Sequence, residues 1–89
     1  MNRDIFEDKV LFLKRLHYLS VHRGSKESDF VLTKFANTEL PHLNDSELKI
    51  YYDFLNEDDN DIMNWVMKKI TYPMQYNFIM QKIYSLLDL

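Results

Sequence analysis

Only three positions in this chain of 89 residues interrupt a helix by their own chemistry: one glycine, Gly24, and two prolines, Pro41 and Pro73. Glycine reaches positive φ without steric cost and proline lacks a backbone N–H, so both punctuate a chain otherwise written in helix-compatible residues. No segment alternates with the period of a strand and none repeats, so the expected fold class is all-α. A chain of this length holds one small domain, residues 1–89, with residues 1–5 as a flexible lead. Its 46% hydrophobic residues suffice for one core, and 28% charged residues keep the surface wet.

Five helices are expected. Val10, Leu13, Leu16 or His17, and Leu19 or Ser20 recur at three- and four-residue steps and predict an amphipathic helix over about 6–22. Gly24 suits the left-handed conformation after that helix, with His22 and Arg23 placing positive charge beside its last carbonyls. Ser25 is placed to cap a second helix whose first turn carries Glu27 and Asp29 and whose apolar face includes Phe30, Val31 and Phe35. A loop is expected at 37–44, where Pro41 lies. Asn44-Asp45-Ser46-Glu47 then reads as a capping box opening a third helix with Leu48, Tyr51, Tyr52 and Leu55. Asp58 or Asp59 caps a fourth, with Ile62, Trp65, Val66 and Ile70 turned inward and Trp65 as a core anchor. Pro73 fits the first turn of a fifth, which carries Ile79, Ile83, Leu86 and Leu87.

Charge and composition exclude several functions. With no cysteine there is no disulfide, thiolate metal site or cysteine nucleophile. A formal charge of -3 gives no net pull towards phosphate backbones. A helix-turn-helix reading of the first two helices would set Glu27 and Asp29 against the incoming phosphates, so no nucleic-acid partner is expected. No stretch approaches the roughly 20 apolar residues of a membrane span, so no membrane insertion is expected. The amino terminus carries Asp4, Glu7 and Asp8 where a targeting peptide would be poor in acids, and the chain is expected to stay where it is made.

Catalytic and metal chemistry find little footing. Ser20, His22 and Glu27 include the residue types of a hydrolase, but neighbours two apart on a helix face different ways and no strand-to-helix elbow presents a nucleophile. No catalytic residue is assigned and the chain is not expected to be an enzyme. His17, His22 and His42 lack the paired spacing of zinc ligands. The acidic run at 56–61 invites a calcium reading, yet counting from Asp58 the positions that need glycine and glutamate hold Met63 and Lys69. No metal is expected.

Arg23-Gly24-x-x-Glu27-x-Asp29, then Leu32 and Phe35, Glu47-Leu48, Phe54-Leu55, Asp58-x-x-Asp61 and Trp65 together resemble the succinate dehydrogenase flavinylation factors, the SdhE family of small assembly proteins. The resemblance runs from about Val10 to beyond Pro73. Departures are Ser25, where many members carry methionine, and a longer amino-terminal lead.

The resemblance implies a compact five-helix bundle that acts as an assembly factor. Such a protein binds the flavoprotein subunit of succinate dehydrogenase, and in some cases of fumarate reductase, and promotes covalent attachment of FAD to a histidine of that subunit. FAD is then the group attached to the partner and no cofactor is stably bound by the chain itself, which is expected to be a monomer in the bacterial cytoplasm. The alternative is a small helical adaptor of antitoxin or regulatory type without a flavoprotein partner. The resemblance assigns partner binding to Arg23, Gly24, Glu27 and Asp29. Gly24 lets another surface approach closely, Arg23 offers a planar donor, and Glu27 accepts from the partner or fixes Arg23. Arg23 and Glu27 are expected to be exposed.

Overall fold

The computed structural model describes residues 8–89; the expected lead at 1–5 and the helix start at Phe6 lie outside them. The described residues form five helices and no strand: α1 (Lys9–Val21), α2 (Lys26–Glu39), α3 (Asp45–Leu55), α4 (Asp59–Val66) and α5 (Asn77–Leu87). Short 3-10 turns lie at Leu40–His42 and Met74–Tyr76. The all-α expectation holds. α2 is the central element, packed against α1, α4 and α5, while α3 leans on α1 and on the turn before α5.

Local chemistry sets the helix starts. Asp8 accepts the Leu11 N–H at 3.1 Å, and Ser25 accepts that of Ser28 at 3.2 Å. Asn44 and Glu47 form the expected reciprocal box, each side chain accepting the other's backbone N–H at 2.8 and 2.9 Å. Asp58, rather than Asp59, caps α4 by accepting the Asn60 N–H at 2.7 Å. Each cap of this kind contributes about 1 kcal/mol.

Several elements depart from expectation. α2 continues past Ala36 to Glu39 and passes into the 3-10 turn at Leu40–His42, where a loop was expected. Pro41 stands at the start of that turn, where its missing N–H cannot continue the α2 ladder beyond the Leu40 N–H on the Ala36 carbonyl, and buried Leu40 pins the turn to the core. Pro73 is extended and precedes the 3-10 turn instead of sitting in the first turn of α5. In α1 the buried stripe is Phe12, Leu16 and Ser20, four residues apart, which leaves Val10 exposed. Phe30 is also exposed, and so is Ile70, because α4 stops four residues short of it.

The end of α4 has a definite cause. Lys68 lies at φ +60, its N–H donating to the Trp65 carbonyl at 3.1 Å while Lys69 N–H reaches back to Asn64 at 2.9 Å. This is a Schellman closure with lysine where glycine is usual. The Tyr84 hydroxyl of α5 donates to the same Trp65 carbonyl at 2.6 Å, and the Lys68 ammonium lies 4.7 Å from the Tyr84 ring centre. Two contacts from α5 thus hold the turn against the strain of a left-handed lysine.

The core is largely aromatic. Phe35 stacks on Tyr51 at 4.8 Å, Tyr76 meets Phe54 edge-on at 5.1 Å, and Trp65 lies 5.8 Å from Tyr76. Trp65 is the expected anchor, buried between α3 and the turn before α5. The one hydroxyl pair at the centre is fully buried and satisfied: Ser20 donates to the Leu16 carbonyl at 2.7 Å and so accepts from the Tyr51 phenol at 2.7 Å. Burial pushes the Tyr51 phenol well above its ordinary value, against a smaller opposing pull from the positive charge of Arg23.

Trp65→Ala should destabilise the fold by about 3 to 5 kcal/mol in urea titrations, the range for removing a buried aromatic ring. Stability should also fall in alkali. A phenol whose folded value is raised contributes its full stability below its ordinary value of 10.0 and loses it as pH climbs towards the folded value. Urea midpoints measured upward from pH 9 should therefore decline, and Tyr51→Phe should flatten part of that decline.

Candidate functional site

The chain between α1 and α2 turns through His22, Arg23, Gly24 and Ser25. α1 closes with the His22 N–H on the Tyr18 carbonyl at 3.1 Å, and the next residues swing towards α2. Gly24 takes φ +112, a conformation that side chains rarely adopt. A Cβ placed there would meet only Asp59 Oδ2 at 3.9 Å, an ordinary contact, so the requirement for glycine is one of backbone conformation and not of space. Gly24 is exposed.

Arg23 is where the structure departs furthest from expectation. Its side chain is only 9% exposed and points inward, and it pairs with Asp59, not with Glu27. Nε donates to Asp59 Oδ1 at 2.9 Å, Nη2 donates to the Glu57 carbonyl at 3.0 Å, and Nη1 donates to the Leu55 carbonyl. Leu55 is the last residue of α3, so its carbonyl carries the negative end of that helix, while Glu57 lies two residues beyond it. The expected charge beside the end of α1 is thus placed at the end of α3, and a planar fork with several donors meets three acceptors at once. Asp59 opens α4, so one guanidinium fastens the α1–α2 corner to the α3–α4 junction.

The neighbours complete this latch. Arg23's backbone N–H donates to Asp29 Oδ1 at 2.6 Å, which folds the corner back onto the first turn of α2. Buried Ser28 lies 2.7 Å from the Ser25 hydroxyl and 3.3 Å from Asp59 Oδ2. Ser25, where the family resemblance departs, is therefore the working N-cap of α2. Behind the latch, the Tyr76 phenol donates to the Glu57 carboxylate at 2.6 Å. Burial first, and then that carboxylate, hold the Tyr76 phenol well above its ordinary range.

Of the four expected site residues, the corner brings together Arg23, Gly24 and Asp29. Glu27 stands in the same first turn of α2, exposed, and its side chain makes no hydrogen bond or ion pair among the described residues. Asp59 and Ser28 were missed. The available signal was the acidic cluster Asp58, Asp59 and Asp61, because one carboxylate suffices for a cap and the others need another purpose. Chemically, the corner is a patch of exposed backbone with a free carboxylate beside it, fixed from beneath by a satisfied, nearly buried charge.

Contrary to what exposure would imply, Arg23→Ala should destabilise the fold, by about 2 to 4 kcal/mol, because it strands two carbonyls and a carboxylate. Asp59, 26% exposed, recovers part of that loss through water, which sets the lower end. Gly24→Ala should cost about 1 to 2 kcal/mol through its backbone alone. Urea unfolding of both variants checks the pair; an Arg23→Ala protein as stable as the parent would show that the latch does not hold in solution.

Comparison with known proteins bears on what this corner belongs to. The family model described as "Flavinator of succinate dehydrogenase" matches residues 14–86. The chain is 37% identical over 76 residues to the protein named "Succinate dehydrogenase assembly factor 2, mitochondrial" of Dictyostelium discoideum, covering 85% of this chain and 53% of that one. A protein of the same name from Cryptococcus neoformans is 37% identical over 70 residues, covering 79% and 40%. The "FAD assembly factor SdhE" of Francisella tularensis is 31% identical over 64 residues, covering 72% and 67%. The chain spans about half the length of the mitochondrial relatives it matches. Since the family match runs from the second turn of α1 to the last turn of α5, through both corners that Arg23 joins, the chain belongs to the flavinator of succinate dehydrogenase family.

Proposed function

We propose that this protein is an assembly factor that binds the flavoprotein subunit of succinate dehydrogenase and promotes covalent attachment of FAD to a histidine of that subunit, with the fumarate reductase subunit as a second client. The observation that carries this reading is the Gly24 corner, an exposed stretch of backbone without a side chain, held rigid by Arg23 from beneath. Such a surface admits close approach by another protein and loses little conformational freedom when covered. Gly24 and Glu27 make the contact on this reading. Arg23 and Asp29 serve binding by fixing the corner, Arg23 through α3 and α4 and Asp29 through the Arg23 N–H.

The chemistry assigned to each protein differs. Bonding a histidine to the flavin's methyl position requires proton loss, a place for negative charge on the ring system and an aligned nitrogen. Those groups belong to the flavoprotein. The factor acts as a monomer and is not itself the enzyme; it shifts the flavoprotein towards the competent conformation by binding that state more tightly. Moving a two-state equilibrium from 1:99 to 99:1 takes about 5.5 kcal/mol of differential binding, within reach of one protein interface. FAD is bound and modified on the partner, so the factor needs no cofactor of its own. The compartment proposed is the bacterial cytoplasm, in keeping with the bacterial relative; the other relatives named above are mitochondrial. Among the described residues no helix is long and apolar enough to cross a membrane.

Purified apo-flavoprotein with excess FAD should acquire acid-stable, gel-fluorescent covalent flavin faster when the factor is added. Glu27→Ala should raise the factor concentration needed for half-maximal covalent flavin by about tenfold, the equivalent of one charge-assisted hydrogen bond. Its unfolding midpoint should match the parent's, since Glu27 holds nothing in the free protein. Equal potency of parent and variant would move the working surface away from Glu27, and no response to the parent would sink the assembly role itself.

A further inference from the structure

We infer that the face of α2 running on from the Gly24 corner, with Phe30 at its centre and Lys26 and Lys34 beside it, extends the partner-binding surface and receives an apolar side chain flanked by carboxylates from the flavoprotein subunit. The inference rests on the assembly reading above and names the chemistry of its contact.

Phe30 is 62% exposed in a helix whose other large apolar side chains, Val31, Leu32 and Phe35, are buried. Lys26, Phe30, Thr33 and Asn37 follow one another at helical spacing and form a single outward stripe. Lys34 lies next to it, with its ammonium 5.6 Å from the Phe30 ring centre. Together with Asp29 these side chains line an open depression in the surface. Asp29 is the carboxylate that accepts the Arg23 N–H, so the depression begins where the corner ends and the two surfaces are continuous.

The charges select the occupant. The chain is acidic overall, at -3, yet neither Lys26 nor Lys34 pairs with a carboxylate among the described residues. Two ammonium groups without a carboxylate among the described residues, that of Lys34 over the Phe30 ring, give an apolar centre with a cationic rim, which is the arrangement of an interface anchor. An apolar side chain seated on the ring, with carboxylates reaching the lysines, satisfies both parts.

Binding of Phe30→Ala, Lys26→Gln/Lys34→Gln and Met74→Ala to purified apo-flavoprotein subunit of succinate dehydrogenase, followed by titration calorimetry at two salt concentrations, tests this. Met74 is 79% exposed in the turn before α5 and controls for loss of any exposed apolar group. Phe30→Ala should weaken binding by about tenfold or more with an unchanged melting temperature, as a truncated interface anchor does. The double lysine variant should weaken binding and reduce its salt dependence, and Met74→Ala should bind as the parent does. Parental affinity of Phe30→Ala, or an equal loss in Met74→Ala, would overturn the inference while leaving the assembly role standing. A parent that does not bind the flavoprotein sinks both. Should sedimentation instead reveal a dimer of the parent that Phe30→Ala abolishes, the face belongs to a second copy and the inference falls.

Discussion

The guanidinium of Arg23 joins the α1–α2 corner to the α3–α4 junction through three acceptors. Without it, the α1–α2 corner would rest on α2 through the Asp29 contact and the Ser25 cap, both local to that corner, and on α4 only through the Ser28 hydroxyl at Asp59. Through Asp59 and the carbonyls of Leu55 and Glu57, the same corner is referred to the other half of the bundle. A charge is costly to remove from water unless every donor finds an acceptor, and here each part of the fork does. The arrangement is directional as well as strong. A lysine could neutralise Asp59, but its compact ammonium could not hold a carboxylate and two backbone carbonyls in one plane.

The latch matters because of what lies over it. A helper that works by preferring one conformation of its partner must present a surface that does not itself rearrange; otherwise the free energy of binding goes into ordering the helper. The exposed backbone at Gly24 would by itself be the most mobile kind of surface, since glycine is the least restricted residue. Arg23 before it and the Ser25 cap after it remove that freedom. The aromatic core serves the same end at longer range. Trp65, Phe54 and Tyr76 pack against one another beneath the α3–α4 junction, and the Tyr76 hydroxyl holds Glu57, whose carbonyl receives Arg23.

Local signals in the sequence were legible and distant ones were not. The Asn44–Glu47 box, the Ser25 cap and the positive φ of Gly24 all follow from chemistry confined to a few residues and are found where they were read, and of Asp58 and Asp59, both read as alternative caps of α4, the structure selects Asp58. Trp65 was legible as core because helical spacing placed it with Ile62 and Val66. Periodicity misled where two faces were nearly equivalent: in α1 it favoured Val10 over Phe12, and in α2 it turned Phe30 inward although Val31 and Leu32 already filled the buried face. It also carried α4 on to Ile70, since the closure at Lys68 is set by Tyr84, which lies in another helix. Arg23 and Asp59 stand 36 residues apart, and no local pattern announces such a pair. The family motif drew attention to the right arginine, and only the fold shows that it faces inward.

A buried and neutralised Arg23 also changes how the corner is felt from a distance. Long-range attraction between proteins depends on net charge that remains exposed, and an ion pair sunk to 9% exposure on its cationic side projects little field into solvent. The motif's one arginine therefore has little part in drawing a partner in. On the proposed binding surface, the first approach is governed by the side chains still facing water, Glu27 near the turn and Lys26 and Lys34 along α2, and Arg23 acts only once the two surfaces touch, by keeping the backbone beneath them where it is.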